Sequence, residues 1–280
     1  MKTKSCSQFR RFLPGFAVPT FGHCHRSSTV RLILRQLILA AVLLSSFAFQ
    51  AQAAEICAAV FTPEKAPYIS ERVAKNKFVT NRHFEEYARD LHPDFKNNIA
   101  KLSANQHWID LGAGKATAQI DFLKTFSNKN QAPQATAVAF KLDRWFKPSS
   151  YEGKLKIEEG AYETMPTPSW KKADIITDVY GVLSYTANLS QALQKTIDLL
   201  NLEGELYLLI SPFATQIKTN NEHITLTQYL KSIEGLKIEE GTTTSQLKIT
   251  KTKNNIQIPP IEILRYTDQA PPLRTYTPKN

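Results

Sequence analysis

The segment Ile109-Asp110-Leu111-Gly112-Ala113-Gly114-Lys115-Ala116 limits the possible folds of this chain more than any other stretch. Trp108 to Leu111 read as a short strand that stops at Gly112. Ala116 to Phe126 follow as a helix, with Ile120, Leu123 and Phe126 as its main apolar positions. A strand that ends in a glycine-rich turn and opens directly into a helix carries backbone N–H groups to the carboxyl edge of a sheet. Ligands settle there in open α/β folds. Gly112 and Gly114 let the backbone come close to a ligand where a Cβ would intrude. Dinucleotide binders and plain tight turns share the pattern, so the remaining chain must discriminate.

Strand and helix patterns alternate from His107 onward. After the polar loop Ser127–Pro133 comes an almost wholly apolar strand, Ala135–Phe140, which suits burial on both faces. Leu155–Ile157 is a weaker third strand and Asp174–Asp178 a fourth. Leu189–Leu200 is an amphipathic helix with Asn188 at its N-cap, and Gly204 precedes the most hydrophobic strand, Leu206–Ile210. Repeated strand–helix units predict a Rossmann-like α/β fold, with a mostly parallel sheet and helices on both faces. After Pro212, a helix around Leu226–Ile233 leads to Leu236–Glu240, Gln246–Thr250 and Ile261–Tyr266, which read as an antiparallel C-terminal edge.

The formal charge of +10 does not indicate a nucleic-acid binder. Seven of the 35 basic residues and none of the 25 acidic ones fall in residues 1–53, which leaves the rest of the chain at +3. Arg31 and Arg35 flank an apolar run, Leu37–Leu44, which Ser45–Phe49 extend and Ala51-Gln52-Ala53 close. A basic flank, a short apolar stretch and a small-x-small site predict a cleaved secretory signal and export to the periplasm or the medium. A membrane anchor would need about 20 apolar residues, so no stable span is expected after cleavage. Residues 1–29, with Pro14, Pro19, His23 and His25, fit a signal poorly, and translation is expected to start near Val30. Residues 1–53 are therefore read as leader, 54–104 as a helical lead-in and 105–280 as the main domain. In the lead-in, Ser70 starts a candidate helix, and Phe84, Tyr87, Ala88 and Leu91 repeat at helical spacing before Pro93. Beyond the leader only Cys57 remains of the three cysteines, so no internal disulfide is expected.

The glycine bend resembles motif I of class I S-adenosylmethionine-dependent methyltransferases, Asp-Leu-Gly-x-Gly-x-Gly. Further segments follow in the family's order. Glu159–Pro166 is similar to its Gly-Asp-Ala-Glu-x-Leu-Pro stretch, and Ala173–Asp178 to its fourth-strand motif. Leu199–Leu206 is similar to its Leu-Lys-Pro-Gly-Gly run. The resemblance covers residues 107–211 and implies S-adenosylmethionine as cofactor. It also implies that Asp110, Gly112, Ala113 and Gly114 line the pocket for the methionine part. The ribose-gripping acid of the family falls near Lys141, and Asp143 serves if the second strand runs longer; one carboxylate fits a vicinal diol. Asp178 and Tyr180 would face the substrate side. Ala161 stands where the family has its adenine-contacting Asp, and Ala116 where it has the third glycine.

Other residues are read more plainly. Asp110 has a second reading, as an anchor for the turn, and Asp174 is expected to orient its strand. His83, His92 and His107 lack metal-ligand spacing, and no metal site is expected. Trp145, Phe146 and Trp170 suit either an aromatic wall or core packing. Ser184 and Ser211 lack a nucleophile-elbow setting. The reading is an exported protein that transfers a methyl group to an unknown acceptor, with no identifiable base. The alternatives are a binding or scaffold protein that keeps the fold without turnover, and a secreted effector that meets the cofactor in another cell.

Overall fold

The computed structural model describes residues 81–140, 153–219, 222–266 and 273–279. The expected leader, the helix from Ser70, Cys57, Lys141, Asp143, Trp145 and Phe146 lie outside the described residues. The lead-in enters as two short helices, α1 (Phe84–Asp90) and α2 (Asp94–Ala100), with Pro93 at the N-cap of α2. Proline suits a helix start, where its missing N–H has no partner to lose.

The central unit follows as β1 (His107–Leu111), α3 (Thr117–Lys124), β2 (Gln134–Ala139), β3 (Leu155–Glu159), β4 (Ala173–Val179), α4 (Val182–Tyr185), α5 (Leu189–Leu199) and β5 (Leu200–Leu209). Then come β6 (Thr215–Lys218), β7 (His223–Thr225), α6 (Leu226–Lys231), β8 (Leu236–Glu240), β9 (Gln246–Lys251), β10 (Ile261–Tyr266) and β11 (Arg274–Pro278). Seven strands form one sheet in the order β3-β2-β1-β4-β5-β9-β8. The pairs β1–β2, β2–β3, β1–β4 and β4–β5 are parallel, whereas β9 pairs antiparallel with both β5 and β8. The predicted Rossmann-like sheet and its antiparallel edge are both present.

Three expectations need correction. Ile261–Tyr266 does not join that edge, because β10 belongs to a second, four-stranded sheet of order β10-β11-β6-β7. The pattern of β-branched residues marks a strand but not its partner. Asn188 occupies the N-cap of α5 without a side-chain capping bond; instead its backbone N–H donates to Thr186 Oγ1 at 3.0 Å. The fifth strand begins at Leu200, before Gly204, with an irregular register against β4 between Ala173 and Ile175.

Alternation along the strands sends side chains to two different cores. Trp108, Ile175, Val179 and Tyr207 face α1, α2 and α3, where Tyr87, Phe95 and Phe122 join them. That layer is aromatic: Phe95 and Tyr207 lie 5.2 Å apart and Trp108 and Phe122 5.5 Å apart, both edge to face. Edge-to-face pairs match the negative ring face to a positive ring edge. Ile109, Leu111, Ile176, Leu206 and Leu208 face the other way. They meet Leu189, Leu193 and Ile197 of α5 and Leu226 and Leu230 of α6 in an aliphatic core. Among the described residues, no helix is long and apolar enough to cross a membrane.

Candidate functional site

The strand order dictates where a ligand site can form. From β1 the chain steps outward through β2 to β3, then returns to the other side of β1 to lay down β4. Such a reversal opens a crevice at the carboxyl ends of the two strands that flank it, here β1 and β4. The glycine bend leaves β1 at that point.

The bend is left-handed at three positions: Gly112 at φ 88°, Gly114 at φ 57° and Ala116 at φ 54°. Alanine at Ala116 is the departure noted in the sequence, and it adopts the backbone that glycine would take without strain. That conformation costs an L-residue roughly 1–2 kcal/mol. Tyr180, at the end of β4, is left-handed too, at φ 48°. Strained backbone gathers where surrounding structure enforces it, often at a functional rim.

Close packing of the two loops explains Gly112. A Cβ there would sit 2.6 Å from Gly181 Cα, and a Cβ on Gly181 would sit 2.0 Å from the Leu111 carbonyl oxygen. The two glycines thus let the β1 and β4 loops touch backbone to backbone. Gly112 is thus required by the packing of the neighbouring loop. The amides of Gly112 and Ala113 both donate to the Val138 carbonyl, at 2.9 and 2.8 Å. Ala113 and Gly114 are buried in the bend.

Asp110 is completely buried. Its register partner across the β1–β4 pair is Thr177, whose hydroxyl donates to Oδ1 at 2.7 Å. Tyr87 of α1 and Gln119 of α3 donate to Oδ2 at 2.8 and 2.5 Å, and the Trp108 indole N–H donates to Thr177 Oγ1 at 2.9 Å. Burial pushes the Asp110 pKa up to about 6 against the pull of these three hydrogen bonds. This is the turn-anchor reading: the carboxylate ties β1, β4, α1 and α3 together beneath the bend. Sequence inspection did not find Tyr87, Gln119 or Thr177, because three distant segments supply them.

Asp178 is also fully buried, and its two oxygens accept from the amides of Gly181 and Leu183, both at 2.8 Å. Burial raises its pKa to about 7; the two amide bonds oppose that shift and the nearby Asp110 charge adds to it. Asp178 therefore shapes the β4 loop. Tyr180 is half-buried, with the Arg82 guanidinium 5.8 Å from its ring centroid. Asp174 holds its strand as expected, accepting from the His107 amide at 2.9 Å and from Asn201 Nδ2 at 3.1 Å. Trp170 packs against the aliphatic core.

The second sheet meets this loop from outside. Arg274, 1% exposed, donates from Nη1 to the Thr186 carbonyl at 3.2 Å, and the Tyr276 hydroxyl donates to the same oxygen at 2.6 Å. Four buried polar atoms in this part of the molecule lack a partner among the described residues: Gln119 Oε1, Glu163 Oε1, Ser184 Oγ and Arg274 Nε. They belong to the segments that leave β1, β3 and β4 and to the strand bonded to them. Buried polar atoms without partners are rare, and each calls for water or a ligand. A polar ligand such as a nucleoside fits that requirement at Glu163 and Ser184. The carboxylates of Asp110 and Asp178 already accept from the protein's own donors. Among the described residues no cluster of three His, Cys, Asp or Glu could hold a metal.

No protein-family model matches the sequence, and no curated protein is significantly similar to it. Solved methyltransferase structures do align with it. The plantazolicin methyltransferase aligns at 14% identity and a TM-score of 0.35 over 51% of this chain, which spans half (50%) of that protein's length. An amino pentose methyltransferase of calicheamicin biosynthesis from Micromonospora echinaspora aligns at 12% identity and a TM-score of 0.41, over 66% of this chain and 97% of its own. A sugar N-methyltransferase from Streptoalloteichus aligns at 10% identity and 0.41, over 70% and 97%. Those alignments carry no substrate over to this chain. By its own strand order, its glycine bend and its closing antiparallel hairpin, the chain has the fold of the class I methyltransferases that its motifs resemble.

Proposed function

We propose that this protein binds S-adenosylmethionine in the crevice at the carboxyl ends of β1 and β4 and transfers its methyl group to an O, N or C nucleophile. One observation supports this above the others. The left-handed bend Gly112–Ala116 stands at the point where the strand order reverses and packs against Gly181, whose loop carries the buried Ser184 hydroxyl, without a partner among the described residues. Bound there, the cofactor supplies a sulfonium methyl with a good leaving group already attached. The chain's task is then alignment and exclusion of water. Asp110 and Asp178 fix the two loops, and Asp143, just beyond β2, grips the ribose hydroxyls. Removal of the leader during export, to the periplasm or the medium, is part of the proposal.

Titration calorimetry on the processed protein, with the cofactor and its demethylated product, tests this reading. Binding in the micromolar range supports it, and Asp143→Ala should weaken that binding by about ten- to a hundredfold, as loss of a charged hydrogen-bond pair does. A specific observation favours a second reading, a binding or scaffold protein without turnover. Asp110 and Asp178 already accept three and two hydrogen bonds from internal donors, and Ala161 offers no carboxylate to adenine. Absence of heat at millimolar cofactor would select that reading.

A further inference from the structure

At the opposite edge of the sheet, where β1, β2 and β3 begin, lies a cavity of about 410 Å³. β1 is five residues long at roughly 3.3 Å each, so the cavity is on the order of 15 Å from the glycine bend. Its wall includes His107, Thr136, Lys154, Lys156, Trp170 and Lys171, and among the described residues no acidic one. A volume of this size is typical of small-molecule sites.

The charges in the wall are unevenly matched. Lys156 pairs with Glu158 at 2.5 Å and lies 5.9 Å from the centroid of the Trp170 ring. Lys154 and Lys171 reach only backbone carbonyls, Lys154 that of Ala132 at 2.7 Å and Lys171 that of Asn105. Among the described residues neither has a carboxylate partner. The neighbouring Asp174 is engaged by the His107 amide and by Asn201. His107 has both ring nitrogens occupied, by the Lys171 carbonyl at 3.0 Å and Thr136 Oγ1 at 2.9 Å. The cavity wall thus carries two lysines without a carboxylate partner among the described residues, beside a half-buried indole.

Two lysine point charges suit a doubly charged tetrahedral oxyanion, and the indole offers an apolar wall to whatever the oxyanion is attached to. The geometry points to a second binding site, at the amino edge of the sheet, for a small phosphate monoester with a planar organic group. This site is independent of the cofactor crevice, and its ligand bears no likeness to the cofactor.

Phenyl phosphate, phenol and inorganic phosphate are suitable probes, titrated calorimetrically into the processed protein at low ionic strength. Phenyl phosphate should bind in the micromolar to submillimolar range, while phenol should give no heat. The double variant Lys154→Met/Lys171→Met should weaken phenyl phosphate at least tenfold, and Lys154→Arg/Lys171→Arg should keep most of the affinity. Trp170→Leu should weaken phenyl phosphate several-fold and leave inorganic phosphate unchanged. Thermal melts identify any variant that fails to fold, and the arginine pair then carries the comparison. No binding of phenyl phosphate at ten millimolar or so, or equal binding by the methionine pair, overturns the site.

Discussion

The two edges of the main sheet are built differently. At the amino edge, backbone and side-chain groups are matched to one another: Asp174 joins His107 to Asn201, and both nitrogens of the His107 ring are engaged. At the carboxyl edge, two loops touch through facing glycines, Ala116 and Tyr180 are held left-handed, and polar atoms of Glu163 and Ser184 are buried without partners among the described residues. The amino edge completes the fold with the chain's own groups, apart from two lysine charges. The carboxyl edge leaves strain and unmet polarity, the physical signature of a surface that something else completes. The fold tolerates this because the aromatic and aliphatic cores on the two faces supply its stability.

Substitution at glycine should separate the edges most strongly. Gly181→Ala places a Cβ 2.0 Å from the Leu111 oxygen and should cost more than about 3 kcal/mol, enough to prevent soluble expression. Gly153→Ala, near the amino-edge cavity, meets nothing within 4 Å and bears only the penalty of its φ of 87°, about 1–2 kcal/mol. Equal losses in chemical denaturation would erase the contrast.

A pH series comes next in size. The pKa of Asp178 is raised to about 7 and that of Asp110 to about 6, both above the unfolded carboxylate value of 3.8. The folded protein then holds more protons than the unfolded chain between about pH 4 and 7. Stability contributed by these groups is greatest below pH 4 and is lost as pH rises through 6 and 7. The lowered pKa of His107 acts in the opposite sense, so the difference between wild type and Asp178→Asn is the proper readout. Wild type should lose on the order of 3 kcal/mol relative to the variant between about pH 4.5 and 7.5. A pH-independent difference would mean that Asp178 is ionised throughout.

Carboxylates with and without partners give a smaller contrast. Asp110→Asn keeps one acceptor oxygen but sets an NH2 against at least one of the three buried donors and should cost about 2 kcal/mol. Glu163→Gln, where Oε1 has no partner to lose, should change stability by less than about 0.5 kcal/mol. Similar values for both would show that Glu163 is matched after all. Smallest of all, Ala116→Gly should be neutral or stabilise by up to about 1 kcal/mol, because relief of left-handed strain is partly offset by unfolded-chain entropy. A destabilised variant would show that the alanine methyl, fully buried among Ala113 and Ala137, matters more than the backbone.

Much of the fold was legible because periodicity is local. The apolar runs at Ala135–Ala139 and Leu206–Leu209 marked buried strands, and the bend at Gly112 marked the loop at their carboxyl edge. Strands β6, β7 and β11 were not foreseen, since three to five residues with polar neighbours carry too little pattern. The site was less legible than the fold. Asp110 and Asp178 were singled out, but the donors each carboxylate meets depend on how the loop or strand beside it folds, and for Asp110 on Tyr87 and Thr177, 23 and 67 positions away.

The sequence by itself determined the alternation of strands and helices, the place of the glycine bend and the near-neutral balance of the chain beyond residue 53, because spacing and composition act over a few residues. Tertiary structure alone decided that Gly112 meets Gly181, that Tyr87 covers Asp110, and that β10 leaves the main sheet to pair with β11. Those outcomes depend on which segments come together in space. Strand pairing and side-chain convergence are long-range events that no local pattern encodes.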